Sequence, residues 1–290
     1  MIYLILSILS TTSIYLVFKW FEKKEIRIFE AIVTNYLMAS VIGLLNVPEL
    51  GKAVGAALHF PIWTIAGLGV GCFFISVFYF IALSSQKVGV SVTTVASKMS
   101  LALAVILFAL FDPNEHITFT KGLAILLAIS GVVFASLKND GTPFQWRYVL
   151  YPMIILVGST IIDFVLGYFS AFTEDANQEN LFSAFPFMVS FCIGVVMILF
   201  KFREKGYHLR WKDIGAGLLL GSINFLSIFT LVKSYTSGIM SKSALLPVNN
   251  LSIVLVGSAA AYFIFKEKLS LLNKVGIVLS MIALMLLLFV

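Results

Sequence analysis

Ten apolar runs dominate this chain of 290 residues, and each is about as long as a lipid bilayer is thick. To within a few residues they cover 2–19, 28–46, 61–84, 88–111, 118–137, 147–172, 179–201, 211–234, 237–264 and 271–290. Turn and charge signals separate them: Lys23-Lys24-Glu25, Val47-Pro48-Glu49, Asp112-Pro113-Asn114-Glu115, Asn139-Asp140-Gly141, Glu174-Asp175 and Arg203-Glu204-Lys205-Gly206. Two further breaks, at 85–87 and 235–237, read as very tight turns. A spanning helix takes about 20 residues, so ten use about 200 and leave about 90 for nine connections. That leaves no room for a soluble catalytic domain. The chain is 60% apolar and 12% charged, against about 45–50% and about 25% in a soluble domain. Too little polar surface exists to cover so much apolar side chain, which excludes a soluble domain and a disordered chain alike. The expected fold is therefore an all-α integral membrane protein with ten transmembrane helices.

Residues 2–19 lack a basic leader and a small-residue cleavage site, so they read as a retained helix rather than a signal peptide. Cys72 and Cys192 lie inside apolar runs and form no CxxC or metal spacing. The net charge of +6 comes from basic residues between the runs. They read as topology signals and contacts to anionic lipid, not as a nucleic-acid surface. Odd-numbered loops hold 15 Lys and Arg against 3 in even-numbered loops. By the charge rule the odd loops are cytoplasmic and both termini lie outside.

The chain repeats itself. Trp63 is followed by Gly67, Gly69 and Gly71, and Trp211 by Gly215, Gly217 and Gly221. Lys98-Met99-Ser100-Leu101 precedes Glu115 as Asn250-Leu251-Ser252-Ile253 precedes Glu267. Ser10-Thr11 and Ser159-Thr160 occupy matching places in the first and sixth runs. The halves are 1–140 and 141–290, with five helices each. Five is odd, so the second half enters the membrane inverted. Two inverted five-helix repeats are a common architecture of secondary transporters, with the substrate near the midplane.

Polar residues at membrane depth carry the candidate chemistry, because a charge at the bilayer centre costs about 2.5–3.5 kcal/mol on insertion scales. Lys98 lies about 15 Å into its run, too deep to snorkel easily. Ser91, Thr94 and Lys98 share one helical face. Such a cation holds a substrate carboxylate or phosphate, acts as a proton-linked switch, or sits in a structural ion pair. Asp163 is the one acid deep in a run, with Ser159, Gly167 and Ser170 on its face. It suits proton coupling, and equally a fixed partner for Lys98 or Lys242. Lys242 shares a face with Asn249. Pro247 removes a backbone donor, so Pro247, Asn249 and Asn250 read as a broken helix lining a site, or as an ordinary kink. Asn224 with Ser227, Tyr79 with Ser76, and Asn35 are cavity-lining candidates that interhelical hydrogen bonds explain equally well. Glu30 lies near a helix end and reads as interfacial. Gly67–Gly71 and Gly217–Gly221 have GxxxG spacing, most simply for close helix packing.

No GxxxxGK[ST], GxSxG or HExxH stands in the sequence, and His59, His116 and His208 make no metal spacing. The expectation is a protein that is not an enzyme, has no cofactor or metal, and partners a small-molecule substrate, lipid and protons as a monomer or homodimer.

The fourth and ninth runs with their exits complete the reading. They hold Val88-Gly89-Val90-Ser91 through Phe108 to Glu115, and Ser237-Gly238 through Ser243-Ala244-Leu245-Leu246-Pro247 to Lys266-Glu267-Lys268-Leu269-Ser270, then Val275-Gly276. With ten short-looped helices in two repeats, the whole chain resembles the drug/metabolite transporter superfamily, specifically its EamA-like branch. The resemblance implies a multi-pass secondary transporter of a bacterial inner membrane, often an exporter of amino acids or related metabolites, with a cavity between the halves. It also implies both termini in the cytoplasm, against the loop charges. The first repeat departs from the pattern, having Lys98 and Ala104 where a proline is expected, and in the second helix, where members often carry an arginine, the nearest polar residue is Asn35. A non-transporting membrane subunit or sensor, an uncoupled facilitator and a lipid-modifying membrane enzyme are the alternatives.

Overall fold

The structure is a computed structural model. It describes residues 1–112, 116–137, 146–204, 206–236 and 242–289, without the side chains of 147, 235, 236 and 242–244. Pro113-Asn114-Glu115, Lys138, Asn139-Asp140-Gly141, Lys205 and Ser237-Gly238 therefore lie outside the described residues, as does the side chain of Lys242.

Among the described residues there is no strand, and ten helical spans are long and apolar enough to cross a membrane. The chain is thus an all-helical, multi-pass membrane protein. The spans are α1 (Ile2–Lys23), α2 (Ile28–Leu45), a short α3 (Leu50–Ala57) in the second loop, α4 (Ile62–Lys87), α5 (Val90–Lys98) with α6 (Ser100–Phe111), α7 (Phe119–Ser136), α8 (Arg147–Ser170), α9 (Ala176–Lys201), α10 (Trp211–Thr236), α11 (Lys242–Phe265) and α12 (Leu271–Leu286). Side-chain caps close the starts of α7, α9 and α12. Thr118 accepts from the Lys121 amide, Asp175 from Gln178 and Ser270 from Asn273. The Gln178 amide holds the Asp175 carboxyl below its ordinary range. That cap therefore contributes above the unfolded carboxyl value and is lost as pH falls through the folded one.

Three expectations change here. The turn expected at 85–87 falls at 88–89, where Gly89 has φ +136°. α3 was not expected. Its Ala53 packs with Trp63 and Phe182, which gives an eight-residue segment the tertiary support that its length cannot. Finally, α11 runs unbroken through Pro247, while the fourth span breaks at Met99 without any proline. Pro247 is only the sixth residue of α11, so little helix precedes it to be kinked. In α5, Val90, Val92, Thr93, Thr94 and Val95 are β-branched. Thr93 and Thr94 also bond back to their own turn, at 2.7 Å to the Gly89 carbonyl and 3.0 Å to the Val90 carbonyl. Such back-bonding bends helices. At the break Ala102 donates to the Met99 carbonyl, three residues back, and the Ser97 carbonyl takes the Ser100 hydroxyl at 2.6 Å.

The chain forms two compact units, and neither coincides with residues 1–140 or 141–290. One comprises Met1–Glu22, Phe80–Ile161 and Leu226–Val290. In it α7 and α12 meet at Gly131 and Gly276, where a Cβ on either glycine would come within 3.0 Å of the opposite helix. Asn273 fastens the pair. Its Nδ2 donates to the carbonyls of Ala135 and Leu137, both at 2.7 Å, and its Oδ1 accepts the Ser270 amide at 3.0 Å. Asn273→Ala orphans two carbonyls and half a capping box, so a loss of about 2 kcal/mol is expected. Thermal unfolding in detergent checks it, and an unchanged Tm counts against that role.

The other unit comprises Lys23–Tyr79 and Ile162–Phe225. Here α2 and α9 meet at Gly43 against Ala184 and at Gly194 against Val33. Gly67 and Gly71 of α4 lie on Phe185 and Val189 of α9, and Gly217 and Gly221 of α10 on Ala31 and Asn35 of α2. Both GxxxG spacings are close-packing seams. Trp63 and Trp211 match in sequence and differ in place: Trp63 is 1% exposed against Phe182, Trp211 is 85% exposed.

Candidate functional site

Buried polar groups among the described residues fall into two kinds, those already satisfied and those that are not. An unsatisfied buried group calls for a physical explanation, such as a partner that the protein itself does not supply.

The satisfied cluster lies in the second unit. Glu30 is 3% exposed, and its Oε1 accepts Lys201 Nζ at 3.1 Å and the Tyr207 hydroxyl at 2.9 Å. Burial, and then Glu30, push the Tyr207 phenol well above its ordinary value. Asp213 is 0% exposed and takes Arg210 on both oxygens, at 2.6 and 2.7 Å, with the Arg27 amide at 3.0 Å. Glu30, in the first turn of α2, is thus buried and paired. Each buried carboxylate has a cation, which is the condition for keeping it there. Glu30 and Lys201 are 171 residues apart, so no local pattern signals the pair. Asn224 donates to Asn35 Oδ1 at 3.2 Å in this unit. Tyr79 is exposed on α4, and Asp163 is exposed on α8, where burial was expected.

Buried side-chain atoms without a partner among the described residues lie in both units, at Asn35 Nδ2 and Thr64 Oγ1 in the second and at Thr12, Ser85, Asn249 and Ser258 in the first. Asn249 and Ser258 stand on α11, which packs against α5. The helices run antiparallel there. Ser91, at the start of α5, bonds Glu267 just beyond α11, and Thr94 packs against Gly257. Lys98 lies one turn below Thr94 on the same face of α5, and Asn250 two turns before Gly257 on the same face of α11. At 1.5 Å per residue these descents are about 6 and about 10 Å, so Lys98 and Asn250 face the seam at nearly one level. The difference is within reach of the lysine stem. Lys98 is half-buried and makes no hydrogen bond or ion pair with a described residue. Asn249 is 2% exposed, and its Oδ1 has no partner. Asn250 is buried beside it. Above Lys98, Tyr15 donates to Ser97 Oγ at 2.9 Å, bringing α1 to the break.

No family model matches the sequence. A protein of Haemophilus influenzae, itself uncharacterized, is 25% identical over 288 residues, which is 97% of this chain and 95% of that one. A solved crystal structure matches with a TM-score of 0.60 at 16% identity, over 98% of this chain and 94% of its own. At that identity the likeness shows the fold alone. It shows that the helical course is shared from end to end.

Of the residues singled out from sequence, the seam gathers Ser91, Thr94, Lys98, Asn249 and Asn250. Ser91 and Thr94 are already engaged. The Ser91 hydroxyl is bonded to Glu267, and the Thr94 hydroxyl to its own helix. That leaves a cation and two amides to meet a solute: one site for an anionic group and one for a hydrogen-bonding group.

Proposed function

We propose that this chain is a secondary carrier that exports a small polar metabolite, an amino acid or related compound, by alternating access. The observation that carries this reading is Lys98, which has no hydrogen bond or ion pair to a described residue, on the seam of α5 with α11, where the buried Asn249 Oδ1 has no partner among the described residues. A charge held at membrane depth without a counter-ion marks a solute pathway more often than a structural contact. In this reading Lys98 holds an anionic group of the cargo, Asn249 and Asn250 hold its remaining polar atoms, and Asp163 exchanges a proton with each cycle. The setting is a bacterial inner membrane, and the family is the EamA-like branch of the drug/metabolite transporters.

Two inverted repeats belong to the same proposal, and helix pairing supports them. Gly43 and Gly194 are 151 residues apart, as are Val33 and Ala184, so the two contacts between α2 and α9 exchange with each other under the repeat. The GxxxG seam of α4 lies on α9 and that of α10 on α2, which exchanges in the same way.

Flux of labelled amino acids and organic acids into proteoliposomes, with and without a pH gradient, tests the carrier. Saturable flux that rises with the gradient is expected. Saturable flux indifferent to pH removes the proton step and leaves a facilitator. Folded protein that moves none of the panel overturns the reading for these cargo classes.

A further inference from the structure

We propose that Glu267 is a positioning residue, whose carboxylate clasps the start of the fourth span to the end of the ninth. The clasp makes α5 and α11 one moving body, so Lys98 keeps its level with Asn250 while the protein changes conformation.

Three donors converge on this carboxylate. The Val90 amide donates to Oε1 at 2.7 Å. The Ser91 amide and hydroxyl donate to Oε2 at 3.3 and 3.0 Å. These are first-turn amides of α5, which have no partner within their own helix. A carboxylate there also meets the positive end of the helix dipole. The backbone on both sides is shaped for the contact. Gly89 has φ +136°, a conformation that L side chains rarely adopt, and a Cβ there would lie 3.2 Å from Glu267 Oε2. Lys266 has φ +54°, which turns the chain after α11 so that the Glu267 amide donates back to the Ala261 carbonyl at 3.3 Å. The second contact, Thr94 on Gly257, lies one turn along the seam. Two contacts at different heights resist both sliding and rotation. Lys98 follows one turn later, just before the break at Met99, so whatever holds α5 holds Lys98. The consequence for flux rests on the carrier reading, whereas the clasp itself does not.

The test uses the full chain in lipid nanodiscs and in proteoliposomes. The first readout is amide hydrogen exchange across residues 88–98, which needs no cargo. Glu267→Ala is expected to speed exchange there about tenfold, as loss of a charge-assisted bond implies, with Glu267→Gln between it and the native protein. Unchanged exchange in Glu267→Ala overturns the clasp.

The second readout is a disulfide. The Cβ of a residue at 257 would stand 3.6 Å from Thr94 Cβ, within the disulfide range of about 3.5–4.5 Å. Thr94→Cys/Gly257→Cys is made with Cys72→Ser and Cys192→Ser, and its oxidised and reduced forms are compared. For a cargo found in the flux panel, the two forms are expected to agree within about twofold, because a link inside one body leaves its motion free. Glu267→Ala is expected to raise KM about tenfold, and the disulfide to bring it back. Flux arrested on oxidation and restored by reductant means that the spans slide past each other, which overturns the one-body assignment. Native protein without flux removes the carrier reading and leaves the clasp to be decided by exchange.

Discussion

Lys98→Ala is expected to abolish saturable flux without loosening the protein. Losing a charged contact to a desolvated partner costs about 2–5 kcal/mol, so transport efficiency is expected to fall at least about 30-fold. Stability is expected to hold or rise, because Lys98 makes no ion pair or hydrogen bond with a described residue. Removing an unpaired cation from membrane depth relieves a cost of about 2.5–3.5 kcal/mol on insertion scales. A structural lysine behaves in the opposite way, since breaking its pair leaves a buried charge behind. Thermal unfolding and flux, measured on one preparation, separate the two roles. Lys98→Arg, which keeps the charge, is expected to retain part of the flux. Normal transport by Lys98→Ala removes Lys98 from the site, and a lowered Tm makes it a structural residue.

Gly276→Ala is expected to separate α7 from α12. The added Cβ would come within 3.0 Å of the Ala135 amide nitrogen and the Gly131 carbonyl. Both are backbone, so no side chain can swing aside, and one helix must move from the other. Overpacking of that kind costs about 1–3 kcal/mol, and more where the obstacle is rigid. The protein supplies its own controls in Gly69 and Gly215, which also lie inside helices and have nothing within 4 Å of an added Cβ. At those sites alanine is expected to be neutral or to stabilise by about 1 kcal/mol, because it is the better helix former. The measurement is Tm and monodispersity in detergent for all three variants. Gly276→Ala as stable as Gly69→Ala refutes the close approach.

The same contrast explains what could be read in advance. Gly67, Gly71, Gly217 and Gly221 announce helix packing by spacing alone, since residues four apart share a face. That spacing does not name the opposing helix. Gly276 carries no such spacing, and its role follows only from Gly131 across the seam. Pro247 looked like a break because proline lacks an amide hydrogen, yet its cost is small in the second turn of α11. The interruption at Met99, where Ala102 donates to the Met99 carbonyl three residues back, follows a β-branched, hydroxyl-rich stretch, a weaker signal than proline. Trp63 and Trp211 match by spacing, yet one is core and the other is exposed, because spacing carries no information on neighbours.

Taken alone, the sequence determined the all-helical class, the ten spans and the shortage of charge at membrane depth. These depend on length, hydropathy and the cost of a buried charge, all of which are properties of single segments. Only the tertiary structure decided which polar groups are satisfied. Glu30 finds Lys201 across 171 residues, and Glu267 finds Ser91 across 176. Lys98 and the Asn249 carbonyl find no partner among the described residues. Satisfaction is a property of pairs brought together by packing, so segments that look alike in sequence become a brace in one place and an open site in another.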